Sequence, residues 1–402
     1  MKNKVSIKSS VNRILAINGG SSSIKFALYQ NEGSFNRLLY GKIDRIGLPD
    51  SKLSYREEKE NRDETLNLDA LDHKSTANYF IEWLEGKTEF SSISGVGHRV
   101  VFGKHFTNPA LITHEIVEEL KHFTSYDPDH LPAEIEIIEA VRKRYPNLPQ
   151  VACFDTAFHQ TMPRVAKMLP IPRRFDEKGI QRYGFHGLSY SYIMEELTRI
   201  AGLEAANGRV ILAHLGNGAS LAAIKEGKSI DTSMGFTPAG GLVMGTRPGD
   251  LDPGVAWYIM KSEHLSPQQF NNFINHKSGL LGISETSFDM RDLLKIEADD
   301  VRATEAVELF CYQAKKWIGA FAAALGGIDT LVFAGGIGEN SPVVRSRICK
   351  GLEFLGIELE EKRNRSNSPI ISTNKVKAVV RIIHTNEEWM IAKTVSKMIN
   401  II

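Results

Sequence analysis

The chain has 402 residues, with 49 Lys and Arg against 48 Asp and Glu, a net charge of +1, which argues against a nucleic-acid binder because such proteins carry a basic excess. Its 42% hydrophobic and 24% charged fractions are those of a globular protein with material for two or three domains. No apolar run approaches the ~18 residues of a membrane span, and three cysteines without a CxxC (Cys153, Cys311, Cys349) exclude a disulfide framework or a tight metal knuckle, which suits a cytoplasmic protein.

The Lys- and Ser-rich start, Met1 to Ser10, precedes an apolar stretch, Ile14 to Ile17, too short for a signal-peptide core. Ile14 to Ala27 reads as a strand, a tight Gly/Ser turn and a second strand in which Ile24, Phe26 and Leu28 alternate. Ser51 to Glu64 is polar and reads as loop or solvated edge. Gly97-His98-Arg99-Val100-Val101 puts a basic pair at a strand end, where Arg99 either makes a surface ion pair or binds an anion. Glu134 to Arg144 follows Pro132 and has helical spacing at Ile135, Ile138 and Val141. Gln150 to Phe154 is a short apolar strand leading into Asp155, a carboxylate that suits a metal, substrate orientation or a helix N-cap.

Leu169-Pro170-Ile171-Pro172 marks an interdomain crossing, and Tyr183-Gly184-Phe185-His186-Gly187 sets a histidine between glycines. His159, His186 and His214 are each open to a core or a site role. Gly245-Thr246-Arg247-Pro248-Gly249-Asp250 is a stiff loop that would position its arginine. Two arginines on opposite sides of a cleft would suit neutralising a carboxylate and a transferring phosphoryl group, since guanidinium binds either in a bidentate manner and stays charged. Glu305 to Leu325 reads as a long apolar-faced helix, and Asp329 to Ala334 as a strand ending in Gly335-Gly336. Ser341-Pro342 reads as an N-cap with proline at the first helical position. Arg363 to Asn374 reads as loop or solvated edge, and Glu387-Glu388 suits Mg²⁺ held through water or an exposed helix start.

Ile211 to Ile224 repeats the first hairpin at an offset of 197 (211 − 14), with identities at Ile14/Ile211, Leu15/Leu212, Ala16/Ala213, Gly19/Gly216 and Ser23/Ser220. This points to two related domains. Both turns are rich in small residues whose backbone N–H groups can cradle phosphate. Neither is a Walker A loop nor a dinucleotide fingerprint.

Ten motifs in order resemble the acetate/propionate/butyrate kinase family over nearly the whole chain. They are Asn18-Gly-Gly-Ser-Ser-Ser-Ile-Lys25, Gly97-His-Arg-Val-Val101, Phe154-Asp-Thr-Ala-Phe-His-Gln-Thr-Met-Pro163, Tyr183-Gly-Phe-His-Gly187, His214-Leu-Gly-Asn-Gly-Ala-Ser220, Asp231-Thr-Ser-Met-Gly-Phe-Thr-Pro238, Met244-Gly-Thr-Arg247, Ser278-Gly-Leu-Leu-Gly-Ile-Ser284, Gly335-Gly-Ile-Gly-Glu-Asn340 and Thr385-Asn-Glu-Glu388. The resemblance implies an α/β fold of two duplicated RNase H-like (actin-like ATPase) domains with an active-site cleft between them. The domains would be 1–168 completed by 384–402, and 169–383, the second binding nucleotide and dimerising.

The resemblance further implies ATP or ADP, Mg²⁺ (with Mn²⁺ as substitute), a small carboxylate acceptor and a homodimer. Asp155, His186 and Arg247 match the family's catalytic positions. Arg99, Val101, Tyr126, Phe185 and Pro238 match its substrate contacts. Lys25, His214, Leu215, Gly216, Asn217 and Gly218, with Asp289, Met290, Arg291, Gly336, Ile337, Gly338, Glu339 and Asn340, match the ATP site. Asn18 and Glu387 match the metal site. A carboxylic acid is ionised at neutral pH, so Asp155 is assigned to orientation or metal-water contact rather than proton abstraction.

Three places depart from the family pattern. His-Gly-Gly after Val101 becomes Phe102-Gly103-Lys104, the histidine of Ala-Pro-Leu-His-Asn-Pro becomes Tyr126, and Thr-Ser-His after Gly187 becomes Leu188-Ser189-Tyr190. Each removes a histidine near the expected acyl pocket. The expected activity is reversible phosphorylation of acetate, with a propionate- or butyrate-type kinase and a nucleotide-gated binding protein as the other readings.

Overall fold

The computed structural model describes residues 12–399 except 21, 70–71 and 376; the Lys- and Ser-rich start and Ser21 of the first turn lie outside the described residues. The chain forms two units, one running to Ala157 and resuming at Asn386, the other Phe158–Thr385. The division thus falls before the Leu169-Pro172 stretch and the expected 168/169 boundary.

The first unit is built on a mixed sheet of β1 (Asn12–Gly19), β2 (Ser23–Asn31), β3 (Phe35–Asp44), β4 (Lys52–Glu57), β5 (Arg62–Asn67), β6 (Ile93–Val100), β7 (Ala110–Leu111) and β8 (Gln150–Phe154). Their order is β5-β4-β3-β2-β1-β6-β8-β7, with β1, β6 and β8 mutually parallel. Of the two readings of Ser51 to Glu64, loop or solvated edge, the structure takes the edge. The stretch makes an antiparallel edge hairpin in which Leu53 and Tyr55 are buried and Leu66, opposite Leu53, packs against the same core, and that sparse alternation reads as polar in sequence.

The second unit holds β9 (Val210–Leu215), β10 (Ala219–Lys225), β11 (Lys228–Thr232), β12 (Thr330–Ala334) and β13 (Val379–Ile382). Their order, β11-β10-β9-β12-β13, reproduces β3-β2-β1-β6-β8 in connectivity and direction. The duplication is real, but its gap-free alignment fails beyond the first strand. Phe26 lies opposite Ile17, whereas Ser220 lies opposite His214. With the first strands matched at 197, the second strands are offset by 194 (220 − 26), so the first copy's turn is three residues longer (197 − 194). Ser23 and Ser220 are not equivalent.

The central parallel strands β8 and β12 are buried at every residue, as strands covered on both faces must be. In the first unit the helix Glu387–Ile399 lies on β1 and β6 through Ile391 and Val395. A Cβ on Gly97 would stand 2.3 Å from Ile391 Cγ2, and one on Gly95 2.9 Å from Val395 Cγ1. These glycines let the helix sit close. On the opposite face Phe26, Phe80, Trp83 and Tyr55 pack as an aromatic group.

In the second unit the helix Gly187–Asn207 packs Tyr190, Ile193 and Leu197 against Leu212, Ala222 and Val332. The long helix begins at Val301, a turn before the expected Glu305, with Asp300 capping it. Ser341 caps the helix Pro342–Cys349. Within Arg363 to Asn374, expected as loop or solvated edge, Asn364 is fully buried and receives the Arg345 guanidinium, so a helical turn, Glu361–Arg365, forms there.

Candidate active site

In the first unit the parallel strands end together, where open α/β sheets present their chemistry. β1 delivers Asn18, β6 delivers Arg99, and Asp155 follows β8. Arg99 donates from Nε and Nη2 to Asp155 Oδ2 at 2.9 and 2.6 Å. Its Nη1 makes longer contacts with Asn18 Oδ1 (3.4 Å) and the Gly19 carbonyl (3.5 Å). Asp155 is fully buried and Arg99 is 15% exposed. Burial works against the Arg99 charge, yet the carboxylates of Asp155 and then Glu387 outweigh it and hold the guanidinium firmly protonated. Arg99 is thus no surface ion pair. Asp155 anchors one edge of the fork, while Nη1 has only contacts near the outer limit of hydrogen bonding, which an incoming oxyanion would better.

Asn18 Nδ2 donates to Glu387 Oε2 at 2.7 Å and Glu388 Oε1 at 3.0 Å. An amide oxygen and two carboxylates suit Mg²⁺, which takes few protein oxygens and fills its shell with phosphate and water. No group of three or more His, Cys, Asp or Glu able to hold a metal occurs among the described residues. Lys25 pairs with Asn18 across the hairpin and lines a groove with Arg37, Lys42, Arg56 and Glu388.

Val101 is buried, and its N–H donates to Glu134 Oε2 at 3.1 Å. Glu134 Oε1 has no hydrogen-bond partner among the described residues, and burial pushes this carboxyl well above the usual range. The sequence reading passed over Glu134 as a helix start, although it shares the apolar face of Ile138 and Val141. Tyr126 stacks on Phe102 (5.6 Å, 13°), and Lys104 Nζ donates to its hydroxyl at 3.3 Å. Three of the departing positions therefore form one cluster.

In the second unit His186 and Arg247 converge. A Cβ on Gly218 would lie 3.3 Å from His186 Nε2 and 2.9 Å from Arg247 Nη2, so only glycine leaves the turn open to both. His186 sits at φ 59°, just ahead of the helix Gly187–Asn207. That left-handed backbone is uncommon outside glycine and recurs at functional sites. Its Nδ1 meets Ser220 Oγ at 2.8 Å, and its ring stacks on His214 at 4.3 Å. His214 Nδ1 meets Ser189 Oγ at 2.8 Å.

The Arg247 loop is as stiff as its composition promised. Met244 N–H donates to the Arg247 carbonyl, Gly245 N–H to the Asn217 carbonyl and Ser278 N–H to the Thr246 carbonyl, each at 3.0 Å. Arg247 Nη1 donates to the Pro238 carbonyl at 2.7 Å, which aims the other nitrogen. His159 is a core histidine: it bonds Ser229 Oγ and the Phe185 carbonyl, and burial pulls its pKa down to about 4. Phe185 is buried beside it. Tyr190 is fully buried, with its hydroxyl 2.5 Å from Ser220 Oγ.

A cavity of about 660 Å³ lies in this unit, lined by Gly216, Asn217, Asp289, Met290, Arg291, Gly336, Ile337 and Asn340. Phe288, Leu294 and Val343, which no motif singles out, complete it with Ser341 and Pro342, which the sequence marks only as a helix start. Its apolar walls with a few polar groups at the edge suit a nucleoside. Asp289 is occupied with Arg291, whose N–H groups hold its carboxyl below the usual range. Gly338 is buried. Glu339 turns to structure: its carboxylate accepts the Gly335 and Thr385 N–H groups and meets His384.

The Acetokinase family model matches residues 13–393. The acetate kinase of Thermoanaerobacterium thermosaccharolyticum is 44% identical over 398 residues, covering 96% of this chain and 99% of that protein. That of Thermotoga maritima is 41% identical over 403 residues, covering 96% and 98%. Among solved structures, the chain is similar to an acetate kinase from Porphyromonas gingivalis, at 38% identity and a TM-score of 0.85. It is likewise similar to a propionate kinase from Francisella tularensis, at 37% identity and a TM-score of 0.89. Each comparison covers 96% of this chain and 99% of the other.

Proposed function

The chain belongs to the acetokinase family of ATP-dependent carboxylate kinases, on the actin-like ATPase fold, and from that premise we propose that its acceptor is acetate, phosphorylated reversibly by in-line transfer. The observation that carries this reading is the convergence of His186 Nε2 and Arg247 Nη2 on the Gly218 turn, two donors placed for the oxygens of a transferring phosphoryl group.

A carboxylate with a pKa near ~4 is already a nucleophile at neutral pH, so no base is needed. The obstacle is the approach of one anion to another. Arg99 takes the acyl carboxylate on the edge of its fork that Asp155 leaves open, and Asp155 keeps that fork oriented. His186 and Arg247 donate to the equatorial oxygens as charge grows there. The apolar cavity beside Gly216 and Gly336 takes the nucleoside. Mg²⁺, held by Asn18, Glu387 and the phosphates, would screen phosphate charge when bound. A homodimer is part of this reading. Trp257 and Tyr258 are 63% and 65% exposed on a helix, Pro253–Ser262, that buries none of its residues, a face a second copy would cover.

Hydroxylamine trapping of acyl phosphate with ATP and acetate, propionate or butyrate tests the proposal. The expected result is the largest kcat/KM for acetate. A larger value for propionate or butyrate would assign the Phe102–Tyr126–Lys104 cluster to a longer acyl chain. ATP binding without trapped product from any acid would make the chain a nucleotide-binding protein instead.

A further inference from the structure

We propose that Tyr190 is a positioning residue for the transfer: acting through Ser220, it fixes His186 in the tautomer that carries its proton on Nε2. This rests on the kinase reading above. Tyr190 OH and His186 Nδ1 meet the same Ser220 oxygen, at 2.5 and 2.8 Å, and Tyr190 and Ser220 are fully buried.

Ser220 has one proton to give. The tyrosine hydroxyl, with a pKa near ~10, is more acidic than an aliphatic alcohol and the better donor. The phenol therefore donates to Ser220 Oγ, and Ser220 donates onward to His186 Nδ1. A neutral imidazole that accepts at Nδ1 bears its hydrogen at Nε2. Nε2 is the atom that faces the Gly218 turn beside Arg247 Nη2. The network thus presents a donor, not a lone pair, to an incoming phosphoryl oxygen. Without the phenol, Ser220 serves equally as acceptor from Nδ1–H, and the two tautomers mix.

The test uses the full chain with ¹⁵N-labelled histidine, comparing wild type, Tyr190→Phe and Ser220→Ala. In the wild type His186 Nε2 is expected at the shift of a protonated ring nitrogen, and in both variants at a value between the protonated and bare limits. Both variants lose roughly tenfold in kcat, a part of the ~10²–10³ that a lost oxyanion donor costs, with KM for ATP and acid within about twofold. The double variant is no worse than the poorer single, because both act on one hydrogen-bond chain. Unchanged nitrogen shifts with wild-type kcat overturn the proposal. So does a loss of activity in which KM rises and the tautomer stays put, the mark of a packing role. A wild type that makes no acyl phosphate from any acid sinks the kinase reading, and the nitrogen shifts alone then decide the proposal.

Discussion

Arg247→Ala is expected to lower kcat by roughly 10³–10⁵-fold, the range of an arginine that stabilises a phosphoryl-transfer transition state, while KM for the carboxylate changes little. The expectation follows from how the side chain is held. Pro238 takes Nη1, and backbone bonds at Met244, Gly245 and Ser278 fix the loop. Nη2 is thereby delivered to the Gly218 turn without reorganisation. Arg247→Lys should recover little, because one ammonium cannot hold the Pro238 carbonyl and also reach the turn. Single-turnover rates at saturating ATP provide the measurement. Turnover within a few fold of wild type in Arg247→Ala would remove this residue from the transfer step.

The second large effect concerns stability as well as rate. Arg99→Ala strips the buried Asp155 of the guanidinium that donates to it twice, and loss of one partner of a buried ion pair costs about 3–5 kcal/mol. Asp155→Asn placed on top of Arg99→Ala removes the stranded charge and should restore much of that stability. It should restore no activity if Arg99 holds the acyl carboxylate as proposed, since that guanidinium is still missing. Urea denaturation of the two singles and the double closes the cycle. If Arg99→Ala unfolds at the wild-type midpoint, the pair is not what organises the end of the sheet.

The strands that carry the site were legible because burial wrote them plainly. Gln150 to Phe154 is an unbroken apolar run, and the structure buries all five residues. The stiff loop around Arg247 was equally plain in its glycines and proline. What escaped was whatever depends on partners distant in sequence. Ser220 seemed the twin of Ser23, yet the shorter second turn shifts it by three residues, opposite His214 and against His186. Tyr190 looked like a lost pocket histidine and instead stands in the core behind His186. Glu134, one acidic residue on an apolar helix face, gave a faint signal that only its contact with the Val101 N–H makes intelligible. Edge strands β4 and β5 read no more sharply than loop or solvated edge because few of their side chains, Leu53, Tyr55 and Leu66, face inward.

The late return of the chain has an outcome for biogenesis. Glu387 and the helix behind it are translated after every other element of both units, yet they cover Gly95 and Gly97 and meet Asn18 in the first. Until that helix docks, the first unit shows water a bare glycine-floored face. Docking of this helix therefore brings the Glu387 and Glu388 carboxylates to Asn18 at the same moment that it covers the glycine floor of the first sheet.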